Sequence, residues 1–268
     1  MNILLLSDFS RVAINATHYA MDLFQDQQVN FYLLNIFDPD PACVGDCAET
    51  RKADTLTTLQ ERVRNLQERS GNRQHKVTGH YSEDKLVNAA RDFVKQNKID
   101  LIVMGAVGKE QRHTTILGEH TFEIMSKIKC NILAVAEDSR FEKTEKLVMP
   151  LDYTAFFNEN NIQFLNNSEI FKNTELSIWE IAGSGSIENE RRAAKKEVFS
   201  GLQDINVSFS TFDETKIFDK RIWTDVQNKF DLVVLLGKNI RICDRLLHNR
   251  HGLYTSVPNH LPILVLHD

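Results

Sequence analysis

Cysteine is scarce in this chain: Cys43, Cys47, Cys130 and Cys243 are too few and too scattered to staple 268 residues, so reduced thiols are the simplest expectation. Long hydrophobic runs are missing as well. The most apolar stretches, residues 101–104 and 232–236, fall far short of the roughly 20 residues a membrane helix needs, so no spanning segment is expected. There is no dense Lys/Arg stripe, and the formal charge is -5, which argues against nucleic acid as a primary partner. Eleven glycines and five prolines are too few for collagen-like or low-complexity order. No basic leader precedes the apolar residues 3–6, which read as a first strand and place the protein in the cytoplasm.

What is present is an ordinary globular composition, 42% hydrophobic and 26% charged, with enough apolar residues for real cores. Residues 3–6 end at Ser7-Asp8. Val12, Ala16, Tyr19, Ala20 and Leu23 then fall on one helical face behind Ser10, a candidate N-cap. Residues 31–36 form a second strand, and a polar loop from Asp38 to Asp46 follows. Leu56, Leu59, Val63 and Leu66 mark a second helix stopped at Ser70-Gly71, residues 75–81 a weak strand, and Leu86 to Val94 a third helix. Residues 101–104 are apolar at consecutive positions, as a central parallel strand demands, and Gly105 ends them. A loop to Gly118, a fourth helix through Phe122, Met125 and Ile128, and a strand at 132–136 complete a βαβαβαβαβ unit. Strands alternating with helices imply a parallel α/β sheet with right-handed crossovers.

After the charged stretch 137–146 the pattern restarts. Residues 147–151 and Asp152 echo residues 4–6 and Asp8, residues 231–237 echo 100–105, and Pro262-Ile-Leu-Val-Leu echoes Asn131-Ile-Leu-Ala-Val. Two diverged copies are therefore expected, residues 1–140 and 145–268.

In an open sheet of this class, ligands bind beyond the carboxyl ends of the strands where the strand order reverses. If strands one and four flank that point, Asp8 faces the Gly105 loop. Asp8 then either accepts hydrogen bonds from an adenine amino group or ribose hydroxyl, or caps the following turn. The loop reads Gly105-x2-Gly108-x9-Gly118 and leads into a helix. Glycine permits close approach of backbone to phosphate and positive φ, and the helix start offers free N–H groups. It matches neither the P-loop nor the dinucleotide fingerprint.

This glycine spacing, with Ser7-Asp8 at the end of strand one, resembles the nucleotide-binding signature of the universal stress protein family, and the tandem arrangement is similar to that family's two-domain type. The resemblance implies two Rossmann-like domains of the adenine nucleotide alpha hydrolase-like class, each a five-stranded parallel sheet with helices on both faces. It implies a nucleotide site from Ser7, Asp8, Ile36, Met104, Gly105, Gly108, Gly118, Glu119 and His120, with the aspartate near adenine or ribose, backbone near Ile36 on adenine and the glycine loop around the phosphates. ATP or another adenine nucleotide, with or without Mg²⁺, is the implied cofactor. The halves would pair as an intramolecular pseudo-dimer, with a further homodimer and an unnamed protein partner as additional assemblies.

The sequence departs from that pattern at Glu119, where the family carries Ser or Thr. A carboxylate ~4 Å from a phosphate costs about 4 kcal/mol at an effective dielectric near 20. Three alternatives stay open: the side chain rotates to solvent, it meets a bound Mg²⁺, or it serves only the electrostatics of the helix N-terminus; Thr121 supplies a nearby hydroxyl. The second copy departs further, with Ile240 where a glycine would stand and the next glycine at Gly252, so its site reads as lost. Lys238, Arg241, Arg245 and Arg250 there read as a solvated basic face, and His113, His120, His248 and His251 as surface histidines without metal-ligand spacing. Three functions compete: a non-enzymatic nucleotide-binding stress-response protein, a nucleotide-free interaction protein with both pockets degenerate, and a slow ATPase, which lacks a visible base and ranks last.

Overall fold

The computed structural model describes residues 1–37, 45–71, 74–107, 117–151, 159–182, 196, 199–213, 226–239 and 260–267. In chain order the elements are β1 Asn2–Leu6, α1 Arg11–Leu23, β2 Val29–Ile36, α2 Asp46–Arg69, β3 His75–Ser82, α3 Leu86–Asn97, β4 Leu101–Gly105, α4 Glu119–Lys127 and β5 Asn131–Val135. Then come β6 Lys146–Leu151, α5 Glu159–Asn167, β7 Thr174–Ala182, β8 Ile205–Asp213, β9 Leu232–Leu236 and β10 Ile263–Leu266.

All ten strands lie in one sheet, ordered β3-β2-β1-β4-β5-β10-β9-β6-β7-β8. Eight of the nine pairings are parallel and the β5–β10 pairing is antiparallel. Each half therefore has the same strand order, its first strand in the middle, and the halves meet edge to edge. The repeat seen in the sequence is thus a structural repeat, joined where Ile263 faces Ala134, Leu264 faces Leu133 and Val265 faces Ile132.

Alternate residues of each strand supply two cores. One face collects Ile3, Leu5, Phe31, Leu101 and Val103 with Tyr19 of α1 and Leu59 of α2, and continues through Leu147, Phe171, Leu232 and Leu264 of the second half. The opposite face collects Leu4, Ile102 and Ile132 with Ala90 of α3 and Met125 of α4, and continues through Val148, Val233 and Ile263. Burying one such aliphatic side chain contributes about 1.5–3 kcal/mol, so the two halves share the stabilisation of both faces.

Helix α1 starts as its sequence demands, with the Ser10 hydroxyl accepting the Ala13 N–H. Helix α2 begins at Asp46, about three turns before the first apolar repeat. Those turns carry no buried side chain, so periodicity could not reveal them, while Asp46 and Glu49 suit the positive end of the helix.

The thiol expectation needs correction at one position. Cys130 is free and buried, but Cys47, exposed in the first turn of α2, is disulfide-bonded to a partner outside the described residues, where Cys43 and Cys243 also lie. Burial, with a smaller contribution from Asp100, pushes the Cys130 thiol up to about 12. The thiolate is the nucleophile, so Cys130 should resist iodoacetamide at pH 8 in the folded protein and react only after denaturation. Mass spectrometry of peptides alkylated with and without guanidinium chloride checks this.

Candidate functional site

β1 pairs with β2 on one side and β4 on the other, so the strand order reverses between β1 and β4. Their carboxyl ends stand side by side, Leu5 opposite Val103, as the ligand-site expectation required.

The turn leaving β1 is tightly tied. The Ser7 hydroxyl oxygen accepts the Phe9 N–H at 3.2 Å, and Asp8 Oδ1 accepts the Ser10 N–H and hydroxyl at 3.0 and 2.5 Å. Phe9 is held at φ 63°, the left-handed region that costs a residue with a Cβ. The capping reading of Asp8 is thus realised through Oδ1, while the exposed carboxylate keeps its other oxygen at the crevice. Ser10→Ala removes the N-cap and one of Asp8's two tethers. It should cost about 1 kcal/mol, read as a reduced urea midpoint at unchanged m-value.

Gly105 is required by packing. A Cβ there would lie 2.7 Å from Val12 Cγ2 and 3.2 Å from the Val12 backbone carbon, so only glycine lets α1 sit on the end of β4. The expectation of positive φ in this loop is not met at Gly105 or Gly118, because helix contact and an extended N-cap conformation, φ -66° at Gly118, are what these positions serve. Gly108 lies outside the described residues.

At the start of α4 several polar groups already have partners. The Gly118 N–H donates to the Ala106 carbonyl at 2.7 Å, the Ala106 N–H to Val135 at 2.8 Å, and the Thr121 hydroxyl to Gly105 at 2.7 Å. Glu119 and His120 are exposed on the first turn, whereas Met104 is buried at 6% exposure in the α3/α4 core, which leaves only its backbone near the crevice.

Across β1, the Phe37 N–H donates to the Ser82 carbonyl at 2.8 Å. Peptide groups alternate sides along a strand, so the N–H and C=O of Ile36 face away from β3, toward the side where β1 has ended. The residue before it was missed in the sequence. Asn35 is 4% exposed, its Nδ2 donates to the Ser7 carbonyl at 2.8 Å, and its Oδ1 is buried without a hydrogen-bond partner. Its only sequence signal is a polar residue ending an apolar strand.

The second half presents a different surface. Glu180, buried at 3% exposure, faces Leu151 across β6–β7, the position that Asn35 occupies beside Ser7. A Cβ on Gly237 would lie 2.5 Å from the His267 ring, so the protein's own imidazole fills the flank of that strand end. Asp152, Ile240, Arg241, Arg245, Arg250 and Gly252 lie outside the described residues, as do His113, His248 and His251. Among the described residues, no group of three His, Cys, Asp or Glu side chains is placed to hold a metal ion, and no helix is long and apolar enough to cross a membrane.

The family model of the universal stress protein family matches residues 1–136. The whole fold is similar to that of a universal stress protein from Archaeoglobus fulgidus, 12% identical, with a TM-score of 0.67 over 99% of this chain and 98% of that one. The universal stress protein UspA from Lactobacillus plantarum is 25% identical over 51% of this chain and 96% of its own, with a TM-score of 0.40. A universal stress protein solved in complex with cAMP is 17% identical over 50% of this chain and 96% of its own, with a TM-score of 0.38. No curated protein sequence matches the chain.

Proposed function

We propose, since the chain belongs to the universal stress protein family, that residues 1–140 bind one adenine nucleotide as a signal and catalyse no reaction on it. The observation that carries this reading is the Asn35 amide. By holding the Ser7 carbonyl it occupies the acceptor that the Ile36 N–H would take if the β1–β2 ladder ran one step further. The Ile36 peptide is left as a donor and an acceptor side by side, the complement of adenine's ring nitrogen and exocyclic amine. Asp8 then meets the ribose hydroxyls, the end of β4 from Met104 to Gly105 supports the sugar, and the first-turn N–H groups of Glu119 and His120 below Gly118 meet a phosphate.

No hydrolytic step is assigned, because phosphoryl transfer needs positive charge on the departing phosphate and the first turn of α4 presents Glu119 instead. The second half binds no nucleotide in this reading. Glu180 places a buried carboxylate where the first half has an amide, and His267 crowds Gly237. Isothermal titration of the full chain with AMP should therefore show saturable binding at about one site per chain, weakened at least tenfold in Asp8→Ala. No detectable binding of any adenine nucleotide below millimolar concentration overturns the proposal.

A nucleotide-free interaction protein is the second reading, and the Glu119 carboxylate at the phosphate position favours it. Chromatography of the supernatant from freshly purified, denatured protein separates the two, since released nucleotide counts against the interaction reading.

A further inference from the structure

We infer that the crevice selects an adenine nucleoside with at most one phosphate and discriminates against di- and triphosphates. This rests on the nucleotide reading above and adds the ligand's charge class to it.

Two independent observations carry it. At the base end the site is built: Asn35 is 4% exposed, clamps the Ser7 carbonyl, turns the Ile36 peptide outward and keeps a buried, unfilled acceptor in Oδ1. A buried polar atom without a partner is costly, so a donor from a bound base or sugar repays its burial. At the phosphate end the described groups are spent. The Gly118 N–H, the Ala106 N–H and the Thr121 hydroxyl all donate to protein carbonyls. What α4 adds is the Glu119 side chain, an acceptor of the same sign as a phosphate. Each phosphate beyond the first brings charge toward that carboxylate and finds none of these three donors free. Repulsion between like charges at this range survives partial solvent screening.

The test is a calorimetric series on the full chain with adenosine, AMP, ADP and ATP, without Mg²⁺, at low and high salt. The expected order is adenosine and AMP together, with ADP and ATP weaker by about tenfold or more, the gap narrowing at high salt. In Glu119→Ser, ATP should gain on AMP by at least about fivefold, because the exposed substitution removes the charge and leaves the fold intact. In Asn35→Leu, adenosine and ATP should both weaken, since the base end serves every member of the series. ATP binding as tightly as AMP in the wild type, or an unchanged ATP/AMP ratio in Glu119→Ser, overturns the charge selection and leaves nucleotide binding standing. Absence of binding by all four ligands overturns the nucleotide reading itself.

Discussion

A valine at position 105 should lower the thermal midpoint by roughly 5–10 °C and abolish nucleotide binding. The new Cβ would fall 2.7 Å from Val12 Cγ2 and 3.2 Å from the Val12 backbone carbon. A side-chain methyl can rotate away, but backbone cannot, so α1 must lift from the end of β4. Overpacking of this kind costs about 1–3 kcal/mol, and a chain of this size loses a few degrees per kcal/mol. Ligand binding fails for the same reason: Asp8 is tethered through Ser10 to the first turn of α1, so the carboxylate moves with the helix. Gly71→Ala is the control. Nothing lies within 4 Å of a Cβ at Gly71, and a change within about 0.5 kcal/mol is expected there. Differential scanning fluorimetry of both variants, followed by AMP titration, decides the matter. A Gly105→Val protein with wild-type midpoint and affinity would show that α1 does not press on β4.

The second large effect is expected far from the crevice. Phe171, 1% exposed, packs in the core that runs through both halves, and together with Tyr19, Leu23 and Leu133 of the first half and Leu232 and Leu264 of the second it borders a void of about 10 Å³. That void holds at most one water, so the site offers little slack. Phe171→Ala should cost about 3–5 kcal/mol and destabilise both halves in a single transition. A biphasic urea curve, with the first half unfolding at its wild-type midpoint, would show that the shared core does not couple them.

Much of this architecture was readable from the residues. The strands at 101–104 and 232–236, the Ser10 cap and the restart after residue 146 all carry local signals: consecutive apolar positions, a hydroxyl before an amphipathic face, a repeated strand ending. What stayed hidden depends on partners distant in sequence. The glycine at 105 was visible, but its cause, the Val12 side chain from another element, was not. Asn35 looks like any polar residue closing a strand until the Ser7 carbonyl is set beside it. Nothing in residues 131–135 announces that their outer neighbour runs antiparallel, because a strand buried on both faces has the same composition whichever way its partner points. Of the proposed nucleotide set, Ser7, Asp8, Ile36 and Gly105 stand at adjacent strand ends, Met104 has turned into the core, and Gly108 lies outside the described residues.

The antiparallel seam between β5 and β10 has a consequence for how such a molecule behaves in a dilute cell. Two separate copies joined along that edge would come apart as their concentration fell, and folding of one would wait on the abundance of the other. Covalent linkage makes the encounter unimolecular, so its completeness no longer depends on expression level. It also frees the halves from being identical. One can keep an open crevice while the other surrenders its own and survives as a permanent edge partner, which is the division of labour that Asn35 and Glu180 embody at matching places in the sheet.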